Sequence, residues 1–276
     1  MSPAMVEGRR QAGFALLIVL WTMALLALVG MQIASSGRSE AQLAGNLRAA
    51  AAAGAAADGA VYEAVFHLVD GSERHWVADG RTYSVDGSGG GTAQIRMEDE
   101  RARIGLNEAS APLLQALMVR LDVTPERAAG LAAAILDWRT AVPRARPLGA
   151  KEPEYHAARL GYAPPDASFE RVGELGLVLG MTPDIVRRLS PFLTVYQTGG
   201  PDLAIAAPVV AQAARDAGET GSGPGQSGNA QIVLISVVAS MPGNGVATRR
   251  VEARIGAGTQ GRSYQILNWA IPAFGG

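Results

Sequence analysis

Residues 14–31 read FALLIVLWTMALLALVGM, with Thr22 as the one polar member. No charged residue occurs between Gln11 and Gly37. Wound as a helix, this run spans about 27 Å, close to the hydrocarbon thickness of a bilayer. A core helix of a soluble domain normally shows a polar face, and this run has none. A secretory signal has a shorter apolar region before its small-residue cleavage site. Ala34, Ser35, Ser36 and Gly37 imitate such a site, but the run ahead of them is too long. Arg9 and Arg10 lie just upstream, so the charge rule predicts a cytoplasmic N-terminus and an outward-facing remainder.

The helical pattern continues beyond the apolar run. Leu43, Leu47, Ala50, Gly54, Ala57, Val61, Val65 and Leu68 recur at spacings of three and four, which is one face of a helix. No proline falls between Met5 and Pro112. One helix from Phe14 to Leu68 would be ~80 Å long, its first half in lipid and its second half on a soluble domain. Leu47, Val61 and Val65 are expected to pack on that domain, whereas the stretch Ala49–Ala57 favours helix but buries little area per residue.

The whole chain has 276 residues, a formal net charge of −1 and no cysteine. Near neutrality excludes polyanion binding through bulk charge. The missing cysteines exclude disulfides, thiolate metal sites and a Cys nucleophile. The three histidines, His67, His75 and His156, are too few and too scattered for a His-rich metal centre. No His–Asp partners accompany the serines near residue 36, so nothing points to nucleophilic catalysis, and the expectation is a protein that is not an enzyme.

Downstream, Arg81–Val85 and Ala93–Met97 alternate about a glycine-rich loop and predict a β-hairpin. That loop lacks the GK[ST] ending of a phosphate cradle. Residues 104–193 read as an inserted helical domain. Asn107 is a candidate cap for a helix through Gln115–Leu121, and Thr124-Pro125-Glu126 opens the next. Prolines 143, 147, 153, 164 and 165 mark an irregular connection. Further helices are expected over Phe169–Leu179, Thr182–Leu189 and Pro208–Arg215. Gly218–Asn229 reads as a flexible Gly/Ser-rich loop. Three strands, Ala230–Ala239, Thr248–Ile255 and Ser263–Trp269, close the chain as an antiparallel meander, with Arg249 and Arg250 on an exposed strand edge.

Within the helical stretch, GLNEASAPLLQALMVRLDVTPERAAGL echoes FERVGELGLVLGMTPDIVRRL. Both read helix, turn, Thr-Pro, helix, and so resemble the helix-hairpin-helix of DNA-binding proteins. The alternative function is therefore a membrane-tethered, competence-type DNA-binding protein. The first turn, Leu121-Asp122-Val123, lacks the glycines that present backbone N–H groups to phosphate. Glu98, Asp99 and Glu100 form an acidic cluster beside Arg101 and Arg103, read as a solvated charge run rather than a cation site.

Gly13 before Phe14, followed at once by the apolar helix, resembles the type IV pilin and pseudopilin class. GFALLIVLW with Trp21, ERARIGLNEAS, LDW and FERVGELGLVLGMTPDIVRRLSPFLTVY resemble the minor pseudopilin K family of the type II secretion system. The resemblance covers most of the chain. It implies an α+β pseudopilin fold, with a long N-terminal helix on an antiparallel sheet and an inserted all-helical domain. It divides the chain into leader 1–13, transmembrane helix 14–37, periplasmic helix and first strands 38–103, helical domain 104–193, and loop with C-terminal strands 194–276.

By the same resemblance, prepilin peptidase cuts after Gly13 and methylates Phe14. Most pseudopilins carry a glutamate at the fifth mature position; here it is Ile18, as in the K family. A carboxylate in lipid is costly without a partner, so a subunit lacking it suits a filament tip, where no subunit lies above. The implied function is a minor pseudopilin at the pseudopilus tip, supporting export across the outer membrane. Its partners would be minor pseudopilins I and J, with H, and no nucleic acid. The implied location is the bacterial inner membrane, single-pass, with the C-terminal domain periplasmic. Ile18, Trp21, Gly30, Leu43 and Leu47 are the expected helix-packing residues, Gly30 allowing close approach. No cofactor is required. The family's calcium stretch corresponds to DWRTAVPRARPLGAKEPEY, where Asp137, Glu152 and Glu154 are the candidate ligands beside arginines that repel a dication.

Overall fold

A computed structural model describes residues 7–87, 89–221, 231–256 and 263–272. Residues 222–229 of the expected Gly/Ser-rich loop, Ala230 of the expected strand and residues 1–6 of the expected leader lie outside the described residues. Helix α1 runs from Glu7 to Val69 without a break. It begins seven residues before Phe14, because the segment from Glu7 contains no proline to stop it and continues into the apolar run. The Gly13–Phe14 bond therefore lies inside continuous helix.

Beyond α1, strands β1 (Asp79–Gly87) and β2 (Gly91–Asp99) form the expected hairpin. Strands β5 (Gln231–Met241), β6 (Gly245–Ile255) and β7 (Tyr264–Ala270) form the C-terminal meander. The five make one antiparallel sheet in the order β1-β2-β5-β6-β7. On β2, Ala93, Ile95 and Met97 point to one face. They meet Val233, Ile235, Val237 and Ala239 of β5 and Val251 and Ala253 of β6. Ala53, Ala57, Ala60, Val61, Ala64, Val65 and Leu68 of α1 cover this face.

The helix lies very close to the sheet at one point. A Cβ placed on Gly245 would come within 2.2 Å of the Ala49 carbonyl oxygen. The β5–β6 turn here uses Gly243 and Asn244 at positive φ, as a tight hairpin turn demands. This contact also marks where the sheet ends. Toward the N-terminus of Ala49, α1 projects alone, so Leu43 and Leu47 are exposed, Leu47 by 62%. The expected core role of Leu47 is thereby corrected, whereas Val61 and Val65 are buried.

One further expectation changes in the sheet. Strand β6 sits between β5 and β7, so Arg249-Arg250 is not on an edge. Arg249 turns under α1 instead, its Nε 2.5 Å from Asp58 Oδ1 and its Nη2 donating to the Gly54 carbonyl.

Between β2 and β5 the chain builds a second unit with its own core. It contains α2 (Ala111–Arg120), α3 (Pro125–Arg139), α4 (Glu152–Ala157), α5 (Pro183–Leu189) and α6 (Pro208–Asp216). A small parallel pair joins β3 (Ile104–Gly105) to β4 (Leu193–Thr194). Val210, Ala213 and Ala214 of α6 belong to this helical core, so the unit extends beyond the expected boundary at 193. The α2 cap is Ser110, whose Oγ accepts from Leu113 N, and not Asn107. Asn107 instead pairs with the Phe169 backbone in both directions. The expected helix 169–179 is only a 3-10 segment, Val172–Leu177, consistent with its two glycines.

Strand pairing orients the two units. Met241 and Gly245 lie beside Ala49, toward the apolar half of α1. Asp99 pairs with Val233 at the opposite end of the sheet. The chain leaves for the helical domain after Asp99 and returns at Gln231. The helical domain therefore stands at the end of the sheet remote from the apolar segment.

Candidate functional site: the projecting helix and the helical domain

Phe14–Met31 is long and apolar enough to cross a membrane, and none of it is buried against the rest of the chain. Ile18 and Trp21 are exposed, and nothing lies within 4 Å of a Cβ placed on Gly30. Of the five expected packing residues, none touches the sheet core; all lie on the projecting part of α1 with Leu43 and Leu47. An unburied apolar surface of this length is unstable in water and fits lipid or neighbouring helices.

The helical domain is held by polar clamps around an apolar centre of Leu113, Leu114, Leu117, Met118, Ile135 and Trp138. The Trp138 ring stacks on Phe169 at a centroid distance of 5.8 Å. Tyr155 is fully buried, its hydroxyl accepting from Leu179 N at 2.9 Å. Burial pushes that phenol up to about 12. Arg139 donates to the carbonyls of Leu106 and Ala109. Its burial lowers the guanidinium from its usual value, helped by nearby Arg146.

The two echoing segments face each other. Arg127 of α3 donates to the Gly180 carbonyl at 3.2 Å, and Arg188 of α5 donates to the Leu121 carbonyl. Each arginine thus ties down the turn of the other hairpin. The amides of Leu121, Asp122 and Val123 are bonded to carbonyls of α2, and Arg187 pairs with Asp184. Donors that a phosphate would need are spent inside the fold, which counts against the DNA-binding alternative.

The three expected calcium ligands do not converge. Asp137 accepts from both the backbone N and Nη1 of Arg146. Glu154 accepts from the Lys151 backbone N at the start of α4. Glu152 is exposed and faces His156. Among the described residues no group of three or more His, Asp or Glu side chains could hold a metal ion. The residues present do not fit calcium, because Arg146 already satisfies the one buried carboxylate of the three.

The acidic cluster is likewise paired: Glu98 with Arg96 and Arg103, Asp99 with Arg101, and Glu100 with Arg103. Glu100 is buried, and that burial raises its carboxyl above the usual range against the pull of Arg103. His67 stacks on Trp76 at 4.2 Å, and His75 Nδ1 lies 3.2 Å from the Asp70 carbonyl, so both have local structural roles. Sequence reasoning missed the Arg127–Gly180 and Arg188–Leu121 ties; the signal was one arginine near each Thr-Pro start.

Residues 95–198, which run from within β2 to just past β4, match the family described as type II secretion system (T2SS), protein K. That segment of the chain is similar to the type II secretion protein K family. The protein K segment comprises the helical core from Ile104 through Leu193 but stops short of α6. Over most of its length the fold is similar to a chain in the crystal structure of the GspK-GspI-GspJ complex from the enterotoxigenic Escherichia coli type 2 secretion system. The TM-score is 0.57 at 16% identity, covering 86% of this chain and 99% of that chain. No curated protein matches by sequence. The architecture is thus shared with that chain of the complex, and the segment that resembles protein K is its helical domain.

Proposed function

We propose that this chain is the minor pseudopilin at the tip of a type II secretion pseudopilus, supporting pseudopilus assembly and protein export. The observation that carries the reading is the placement of the helical domain. It stands at the end of the sheet away from the apolar helix, where it caps a filament and blocks a subunit above. Ile18 in place of a lipid-buried carboxylate fits the same position, since a top subunit has no upper neighbour to pair with. Arg9 and Arg10 keep the leader cytoplasmic and the sheet with its helical domain periplasmic, from a single pass through the inner membrane. Prepilin peptidase cuts between Gly13 and Phe14 and methylates Phe14. The similarity to a chain of the GspK-GspI-GspJ complex makes the I and J pseudopilins the partners of choice, with H next below.

The test is co-expression of the full chain with prepilin peptidase and the I and J pseudopilins of its own system. A detergent-stable complex whose protein K subunit begins at N-methylated Phe14 is expected. A mature N-terminus near residues 36–40, or no complex with either partner, sinks the reading.

A further inference from the structure

Lys151 is the only lysine among the 24 lysine and arginine residues of the chain. It is also one of the most buried charged residues, at 6% exposure. Its Nζ donates to the Asp137 carbonyl at 2.6 Å and the Thr140 carbonyl at 2.7 Å, and it pairs with the Asp166 carboxylate. Two of these acceptors are carbonyls at the C-terminal end of α3, which have no intrahelical partner and attract positive charge. The third comes from the far side of the irregular connection. An ammonium offers three donors from one compact charge, whereas a guanidinium is a flat fork. Three converging oxygens from three directions suit the former, and this is the one place where the chain uses it.

Around this centre the charges close. The carboxylate of Asp137 is fully buried and held by Arg146 through Nη1 at 2.6 Å and through the backbone N at 2.9 Å. Gly149 permits the approach, since a Cβ there would stand 2.0 Å from Asp137 Oδ2. Asp166 adopts positive φ to reach Lys151. Two cations, Lys151 and Arg146, thus face two carboxylates, Asp137 and Asp166. Carbonyl and carboxylate oxygens are the donors that hard cations take, and here an ammonium already sits among them.

We propose that the Lys151 ammonium is the built-in cation of the helical domain, occupying the coordination position a divalent metal would need. The connection 140–166 is therefore locked without metal. This holds whether or not the tip assignment does.

The experiment uses the full chain in detergent micelles, with unfolding of the helical domain followed through Trp138. The parent protein is expected to melt at the same temperature in chelator and in excess calcium. Lys151→Ala is expected to melt about 10 °C lower. Lys151→Arg, which keeps the charge but not the three-donor geometry, is expected to fall between. Calcium-dependent stabilisation of the parent, or stoichiometric calcium retained after dialysis, overturns the proposal. So does a Lys151→Arg protein as stable as the parent. If Lys151→Ala does not fold, amine acylation of the parent remains decisive. Lys151 should react at least about tenfold more slowly in the native than in the unfolded chain, and equal rates overturn the proposal.

Discussion

The two cores of this molecule are built from different residues. Under α1 the helix contributes alanines at 53, 57, 60 and 64, with only Val61, Val65 and Leu68 as larger groups. In the helical domain the centre is leucine, methionine, Trp138, Tyr155 and Phe169. Alanine buries little area, so the first core gains by closeness: the α1 backbone at Ala49 almost touches Gly245. The second core fills volume with large side chains and ties its irregular connections with buried polar groups. A long helix lying on a sheet needs a smooth face; five short helices joined by long connections need bulk and clamps.

Four substitutions test this contrast. Trp138→Ala should have the largest effect, a loss of about 3–5 kcal/mol, read as a lower denaturant midpoint for the helical domain. Trp76, which packs against the sheet core, should report little change in the same titration. A matching shift of both transitions would show that the two cores unfold as one.

Gly245→Val should cost about 1–3 kcal/mol through forced contact with the Ala49 backbone. Here the sheet transition should move and the helical one should not. A silent Gly245→Val would remove close approach as the organising feature of the first core.

Arg249→Met should cost about 1–2 kcal/mol, since it leaves the Gly54 carbonyl without its side-chain donor and Asp58 without its partner. The same measurement on a Gly245→Val background would sharpen the comparison. The two contacts act on the same stretch of helix, so their effects should not simply add.

The smallest effect concerns the junction between the cores. Glu100 has its carboxyl raised, first by burial and then by Glu252, against Arg103, Thr194 and Arg250. In the unfolded chain the group loses its proton in the ordinary carboxylate range; in the folded chain it keeps the proton to higher pH. Between those two points the folded state binds more protons, so stability falls as pH rises through this window. Glu100→Gln removes this dependence. Relative to the parent, it should gain stability as pH rises from the ordinary carboxylate range toward neutrality. A pH-independent difference in unfolding free energy would contradict the burial cost.

Elements with strong local patterns were legible in advance. The apolar run, the Thr124-Pro125 and Thr182-Pro183 helix starts, and the alternating strands lie where periodicity and caps put them. Residues whose role depends on a distant partner were not. Asn107 looks like a cap, but its amide serves Phe169, sixty-two positions away. Leu47 continues the helical stripe of Val61 and Val65, yet the sheet ends beside Ala49. For the calcium candidates, the sequence showed arginines nearby but not that Arg146 would hold the Asp137 carboxylate while Lys151 took the Asp137 backbone carbonyl.

By itself the sequence determined the membrane-length helix, the hairpin and meander, and the helical character of the segment between them. These depend on composition and on spacings of two, three and four residues, which act locally. Only the tertiary structure decided which end of the sheet carries the helical domain, how far α1 projects, and what the single lysine does. Each of these rests on which atoms meet across long separations: Asp99 with Val233, Ala49 with Gly245, and Lys151 with three oxygens from two segments.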